Sequence, residues 1–237
     1  MRVLFFICVV LAFSVSAQTP FLQKTFNEGA KSAREGQYEK AIEKYRAAII
    51  YAENERADDY FVARIHFNIG VCFYHLKQTS KAVAEYTEAI KLSERSYRKA
   101  FYALGMAQKD LKNWREAENA FRDALKIEKK DGEAWFDLAL VYLEKEDLAA
   151  AAKAFQSSIK YKSVNASDAQ NNLGVIFALQ NDWTSAEKHF ENALLNSNGK
   201  SVEAGSNLRL CKFYKQNFDS VDLLAKLEFS RTKKERE

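Results

Sequence analysis

The chain has 237 residues, 47% hydrophobic and 29% charged, with 36 basic against 32 acidic side chains and a net charge of +4. That supplies apolar material for an extended core, and the charge balance is too even to point to nucleic acid. Eight glycines and one proline leave few sharp turns or helix breakers, and the abundance of Ala, Glu, Lys and Leu favours helix.

The first residues stand apart. MRVLFFICVVLAFSVSA has one basic residue, Arg2, then an apolar block from Val3 to Phe13, then small residues ending at Ala17. This is the layout of a secretory signal with cleavage after Ala17, so residues 1–17 are predicted to direct export to the periplasm or outside the cell. The apolar block of 11 residues falls short of the roughly 20 a spanning helix needs, which disfavours an uncleaved anchor. Cys8 lies inside that block, away from the position of a lipid-attachment cysteine. Export permits disulfides. Cys72 and Cys211, however, lie four repeats apart by the count below, tens of ångströms at helix-stacking distances of roughly 8–10 Å. Both read as buried apolar residues.

After a lead-in over residues 18–22 that holds Pro20, the pattern is helical without a gap and repeats. Leu104-Gly105, Trp114, Ala117, Phe121 and Ala124 return 34 residues later as Leu138-Ala139, Leu148, Ala151, Phe155 and Ser158. The small anchor recurs as Ala41, Ala82, Ala117, Ala151 and Ala186. Twelve positions before it come Gly29, Gly70, Gly105, Ala139 and Gly174, and seven after it Ala48, Ala89, Ala124, Ser158 and Ala193. Four after it is always an aromatic: Tyr45, Tyr86, Phe121, Phe155 and Phe190. A fixed period of this length indicates a repeat architecture. Glycine inside a helix costs about 1 kcal/mol, so its recurrence predicts a neighbouring helix in close approach. The aromatic then fills the hollow beside it, on the face it shares with the anchor.

These residues resemble the tetratricopeptide repeat family. The repeat with Trp135, Leu138-Ala139, Tyr142, Leu148, Ala151 and Phe155 matches the family pattern nearly throughout, and the resemblance covers about residues 23–197. It implies an all-α, right-handed α-solenoid of about five helix pairs over residues 23–200, with repeats near 22–55, 63–96, 98–131, 132–165 and 167–200. Residues 201–230 are predicted to form a degenerate capping pair, with a charged tail over 231–237. The family's usual proline near the end of each unit is absent, so the second helices are expected to run directly into the next unit. The first spacing, 41 rather than 34 or 35, predicts longer helices around residues 51–61.

No catalytic constellation stands out, and the chain is read as no enzyme, with no cofactor or metal. Cys72 and His75 are i and i+3 on one helix, but no second pair completes a ligand set. The phosphate-loop, zincin and nucleophile-elbow motifs are absent from the sequence.

The family resemblance places the variable residues on the inner face of each first helix. There the groove is predicted to carry Phe26, Phe67, Tyr102 and Phe136 as an aromatic ladder, and Met106 and Leu140 as aliphatic floor. Asn68, Asp137 and Asn172 are its polar points, and the rim runs from Arg64 and Lys99 to Glu133. The rival reading of the ladder is packing beneath neighbouring helices. The set that clamps a C-terminal carboxylate in some family members is matched only by Asn68 and Lys99, which disfavours a chaperone-tail receptor. The function expected is a protein-interaction scaffold or assembly factor outside the cytoplasm, in association with the cell envelope. Its partner would be an extended peptide or amphipathic helix, not nucleic acid or a small-molecule substrate. The alternative is a glycan- or cell-wall-binding module, for which Trp114, Trp135 and Trp183 would have to be exposed.

Overall fold

A computed structural model describes residues 20–216 together with Leu227 and Phe229. The predicted signal segment, most of the predicted second capping helix and the charged tail lie outside the described residues. Within them the chain forms helices only: α1 (Pro20–Arg34), α2 (Tyr38–Glu55), α3 (Asp59–His75), α4 (Thr79–Leu92), α5 (Arg98–Asp110), α6 (Trp114–Ile127), α7 (Gly132–Glu144), α8 (Leu148–Lys160), α9 (Ala166–Leu179), α10 (Trp183–Asn196) and α11 (Val202–Gln216). Consecutive helices pair as hairpins from α1/α2 to α9/α10, each pair stacks on the next, and α11 covers α9 and α10. This is an all-α solenoid. None of the helices is long and apolar enough to cross a membrane.

The recurring small residues are where the helices meet. Ala41, Ala82, Ala117, Ala151 and Ala186 are fully buried, and the aromatics four residues later are at most 2% exposed. A methyl group placed on Gly70 would stand 2.6 Å from the Tyr86 ring, and one on Gly174 would stand 2.5 Å from the Phe190 ring. The glycine therefore clears space for the aromatic of its own repeat. Gly132, at the first turn of α7, is different. A methyl there would lie 2.8 Å from the backbone nitrogen of Ser163, so α7 docks directly on the α8–α9 turn.

The turns within repeats share one design. Three residues separate the paired helices, and the middle one is left-handed: Gly36 (φ 76°), Lys77 (59°), Lys112 (59°), Glu146 (59°) and Asn181 (61°). The next N–H reaches back to the carbonyl five residues earlier, as Gln78 does to Phe73 and Asp147 to Tyr142, each at 2.9 Å. Such bonds close a helix C-terminus.

The second helices do not run into the next unit. Each ends before a turn of three to five residues, and the stops are made without proline. Arg56, Glu94, Arg95, Lys162 and Asn198 take positive φ, at about 1–2 kcal/mol for a residue with a side chain. That cost is offset where Ala57 donates to Ala52 and Arg95 to Ile90, both at 2.9 Å. Asp58 and Asp131 then accept from Phe61 and Ala134 and open the following helices. Where the first spacing is longest, α2 has 18 residues and α3 has 17.

Candidate binding groove

The first helices neighbour one another along the stack, α1 to α3, α3 to α5 and α5 to α7, with α9 against α11, and so form its inner, concave side. Their aromatics do not stand free in it. Phe26 packs on Tyr45 (5.6 Å between ring centres), Phe67 on Tyr86 (5.8 Å), Tyr102 on Phe121 (5.6 Å) and Phe136 on Phe155 (5.5 Å). Each first-helix ring thus caps the second-helix ring of its own repeat. Phe136 is fully buried, and Phe26 is held between the rings of Tyr45 and Phe61, so these two belong to the core rather than to a docking floor. Phe67, Tyr102 and Met106 are half-buried. Arg64 is exposed, with its guanidinium over the rings of Phe26 and Phe61. Asn68 is half-buried and Lys99 exposed.

The acidic half of the predicted rim is committed internally. The Glu133 carboxylate accepts from Ser163 Oγ (2.9 Å), the Val164 N–H (2.7 Å) and the Asn165 amide (2.7 Å). It therefore closes the α8–α9 turn. Asp137 is buried, 3.0 Å from Lys109 Nζ, and accepts from the Tyr102 hydroxyl at 2.6 Å. Burial, and then the Asp137 charge, push the Tyr102 phenol well above its ordinary pKa, so it stays protonated and donates. Asn172 is fully buried and accepts from Asn171, which in turn accepts from Asn207 of α11 at 2.8 Å. Asn171 holds the place of the ladder aromatic in the last repeat, and the amide relay joins that repeat to α11.

A cavity of about 670 Å³ lies between α5 and α7, with Phe229 among its lining residues. It is bordered by Lys109, Trp114, Leu140 and Leu143, with Asp110, Lys112, Glu144 and Glu146 at its edge. Of the predicted groove residues only Leu140 takes part. Lys109 and Leu143 occupy inner-face positions one turn further along the same helices, which is the sequence signal that could have placed them here. A second cavity, of about 660 Å³, opens between α6, α7 and α8, with Leu125, Trp135, Leu138 and Tyr142 inside it and Arg122, Lys126, Lys129 and Lys153 around it.

The three tryptophans are half-buried. Trp135 donates its indole N–H to the Lys129 carbonyl, and Trp183 stacks on Tyr214 at 5.0 Å. His75 stacks on Tyr38 at 4.6 Å, and His66 meets Glu85 at 2.7 Å. Among the described residues no three His, Cys, Asp or Glu side chains gather as a metal site. Cys72 and Cys211 are free and buried, and burial pushes both thiols up to about 11.

A helical-repeat solenoid with an extended concave face is a protein-interaction scaffold, and this is the class the fold defines. Tetratricopeptide-repeat family models match residues 31–95 and 102–163, more than half of the chain together, and the chain belongs to that family. Among curated proteins it is 27% identical over 124 residues to the DnaJ homolog subfamily C member 7 homolog of Schizosaccharomyces pombe, covering 52% of this chain and 25% of that protein. It is 29% identical over 147 residues to Superkiller protein 3 of Saccharomyces cerevisiae, covering 58% of this chain and 10% of that protein. The chain thus spans a quarter or less of the length of these relatives. Among solved structures, MamA from Desulfovibrio magneticus RS-1 superposes with a TM-score of 0.66 at 18% identity, over 78% of this chain and 99% of that one. YrrB, described as a TPR protein with an unusual peptide-binding site, superposes with a TM-score of 0.63 at 17% identity, over 84% of this chain and all of that one. At these identities the likeness is one of fold.

Proposed function

We propose that this chain is a non-catalytic scaffold that acts outside the cytoplasm and holds an extended segment of a protein partner, carrying both apolar and charged side chains, between α5 and α7. The observation that carries this reading is the cavity beside Leu140 and Leu143, whose lining is mixed: Trp114, Leu140, Leu143 and Phe229 stand among the charged Lys109, Asp110, Lys112, Glu144 and Glu146. A groove that offers a few apolar anchors among polar groups suits an extended peptide. The N-terminal segment supplies export, and envelope association follows from where the partner resides. The half-buried tryptophans, two of them engaged by Lys129 and Tyr214, offer little support for a glycan platform.

The test is site-specific photo-crosslinking from Glu144, exposed at the cavity edge, in the living cell, with and without Leu143→Glu. A discrete protein adduct that disappears with Leu143→Glu is the expected result. An adduct pattern indifferent to that substitution contradicts the groove. Mass measurement of the protein recovered from outside the cytoplasm should give a chain that begins at Gln18, and a chain retained inside the cell contradicts export.

A further inference from the structure

Leu227 and Phe229 lie beyond the repeats in sequence but against them in space. Phe229 packs on the core cluster that contains Leu140, Phe155 and Leu173, and also on the cluster that contains Val175, Phe190 and Cys211. Leu227 packs on the second of these. Neither residue belongs to a helix or strand. Phe229 also borders the cavity between α5 and α7, next to Trp114, Leu140 and Leu143. A segment of this chain is therefore seated in the region assigned above to a partner.

We propose that the C-terminal tail is the groove's own ligand, docked in cis through Leu227 and Phe229, so that a partner segment must displace it. This rests on the groove reading above. Ten residues lie between Gln216, the end of α11, and Leu227, and a chain can reach at most about 3.3–3.6 Å per residue. Both sides carry mixed charge: Glu144 and Glu146 are exposed at the cavity edge beside Asp110 and Lys112, and Phe229 is followed by Arg231, Lys233, Lys234 and Arg236 with Glu235 and Glu237. Tethering holds such a ligand at an effective concentration on the order of 1 mM. For an intrinsic dissociation constant on the order of 100 µM, that occupancy weakens a competing peptide about tenfold.

The experiment titrates a fluorescent synthetic peptide of residues 221–235 into the intact chain and into its Leu227→Ala/Phe229→Ala variant, with circular dichroism to confirm equal helicity. The expected result is about tenfold tighter binding to the variant, reversed when Phe229→Tyr restores a ring beside an intact Leu227. Equal affinities for the two chains overturn self-occupancy and leave the groove standing. Failure of both chains to bind overturns the groove and the tail together. A photoreactive benzophenone amino acid in place of Phe229 separates the remaining possibility. Adducts within one chain, onto α5 or α7 and independent of protein concentration, support docking in cis. Adducts that join two chains and grow with concentration overturn it in favour of a second copy's tail.

Discussion

Substitution of Gly174 by Ala sets two known effects against each other. Alanine in a helix interior is favoured over glycine by about 0.8–1.0 kcal/mol. Against this, the new methyl would stand 2.5, 2.6 and 2.9 Å from three atoms of the Phe190 ring, where ordinary contact begins near 3.4 Å. Phe190 is fully buried, so the ring cannot move into solvent, and α9 and α10 must separate or the ring must leave its rotamer. Overpacking of that kind costs about 1–3 kcal/mol. With three ring atoms overlapped the upper part of that range applies, for a net loss of about 2 kcal/mol and a Tm lower by about 4–8 °C. Gly205→Ala is the control: it also lies within a helix, but its nearest neighbour is the Arg209 side chain at 3.7 Å, so Tm should rise by about 2–4 °C. Thermal unfolding followed by far-ultraviolet circular dichroism measures both. Phe190→Leu should abolish most of the penalty of Gly174→Ala in a double-mutant cycle. If Gly174→Ala stabilises the protein as much as Gly205→Ala does, the recurring glycines are not there for ring clearance, and the packing argument fails.

Three further outcomes follow from named groups. Ser158 stands where the other repeats carry Ala, and its hydroxyl is buried without a hydrogen-bond partner; Ser158→Ala should stabilise by about 1 kcal/mol in urea denaturation, and no change or a loss would show that the hydroxyl is satisfied. The Lys109–Asp137 pair has side chains 5% and 4% exposed; Asp137→Ala should cost about 3–5 kcal/mol, while the double change Lys109→Met/Asp137→Leu should recover most of it, and equal losses for the two would contradict the pair. The His189 pKa is lowered, chiefly by burial and next by Lys188, against the opposing pull of Asp182. The unfolded chain therefore takes up the proton first, and stability is complete above the ordinary histidine value near 6.5 and falls as pH drops through it toward the lower folded value. His189→Gln should flatten that acid loss between about pH 7.5 and 5.5, and parallel pH profiles for the two proteins would refute the assignment.

The solenoid was legible because its physics is periodic. A glycine or alanine twelve residues before the anchor and an aromatic four after it are two halves of one contact, and only a repeated helix pair needs both at a fixed offset. The groove was less legible because an inner-face position does not declare which way its side chain is committed. Phe136 reads as a ligand-facing ring in one dimension, yet Phe155 is there to receive it. Glu133 reads as rim charge, yet the α8–α9 turn presents three donors to it, a contact spanning about thirty residues that no local pattern records. Missing prolines suggested continuous helices, because the left-handed stops at residues such as Arg56 and Lys162 carry no composition signal. Gly132 escaped for a related reason. Its constraint comes from the backbone of the next turn rather than from any repeated partner. Leu227 and Phe229 sit beyond the periodic region, and nothing in their spacing ties them to α5 and α7.

The most direct measurement is methyl NMR of the Leu227→Ala/Phe229→Ala chain, labelled at Leu and Met, during titration with the peptide of residues 221–235. Saturable shifts are expected at Leu140 and Leu143, with Leu125 and Leu138 of the other cavity unmoved. Shifts centred on Leu125 and Leu138, or spread evenly over the solenoid, would place binding elsewhere and contradict a groove between α5 and α7.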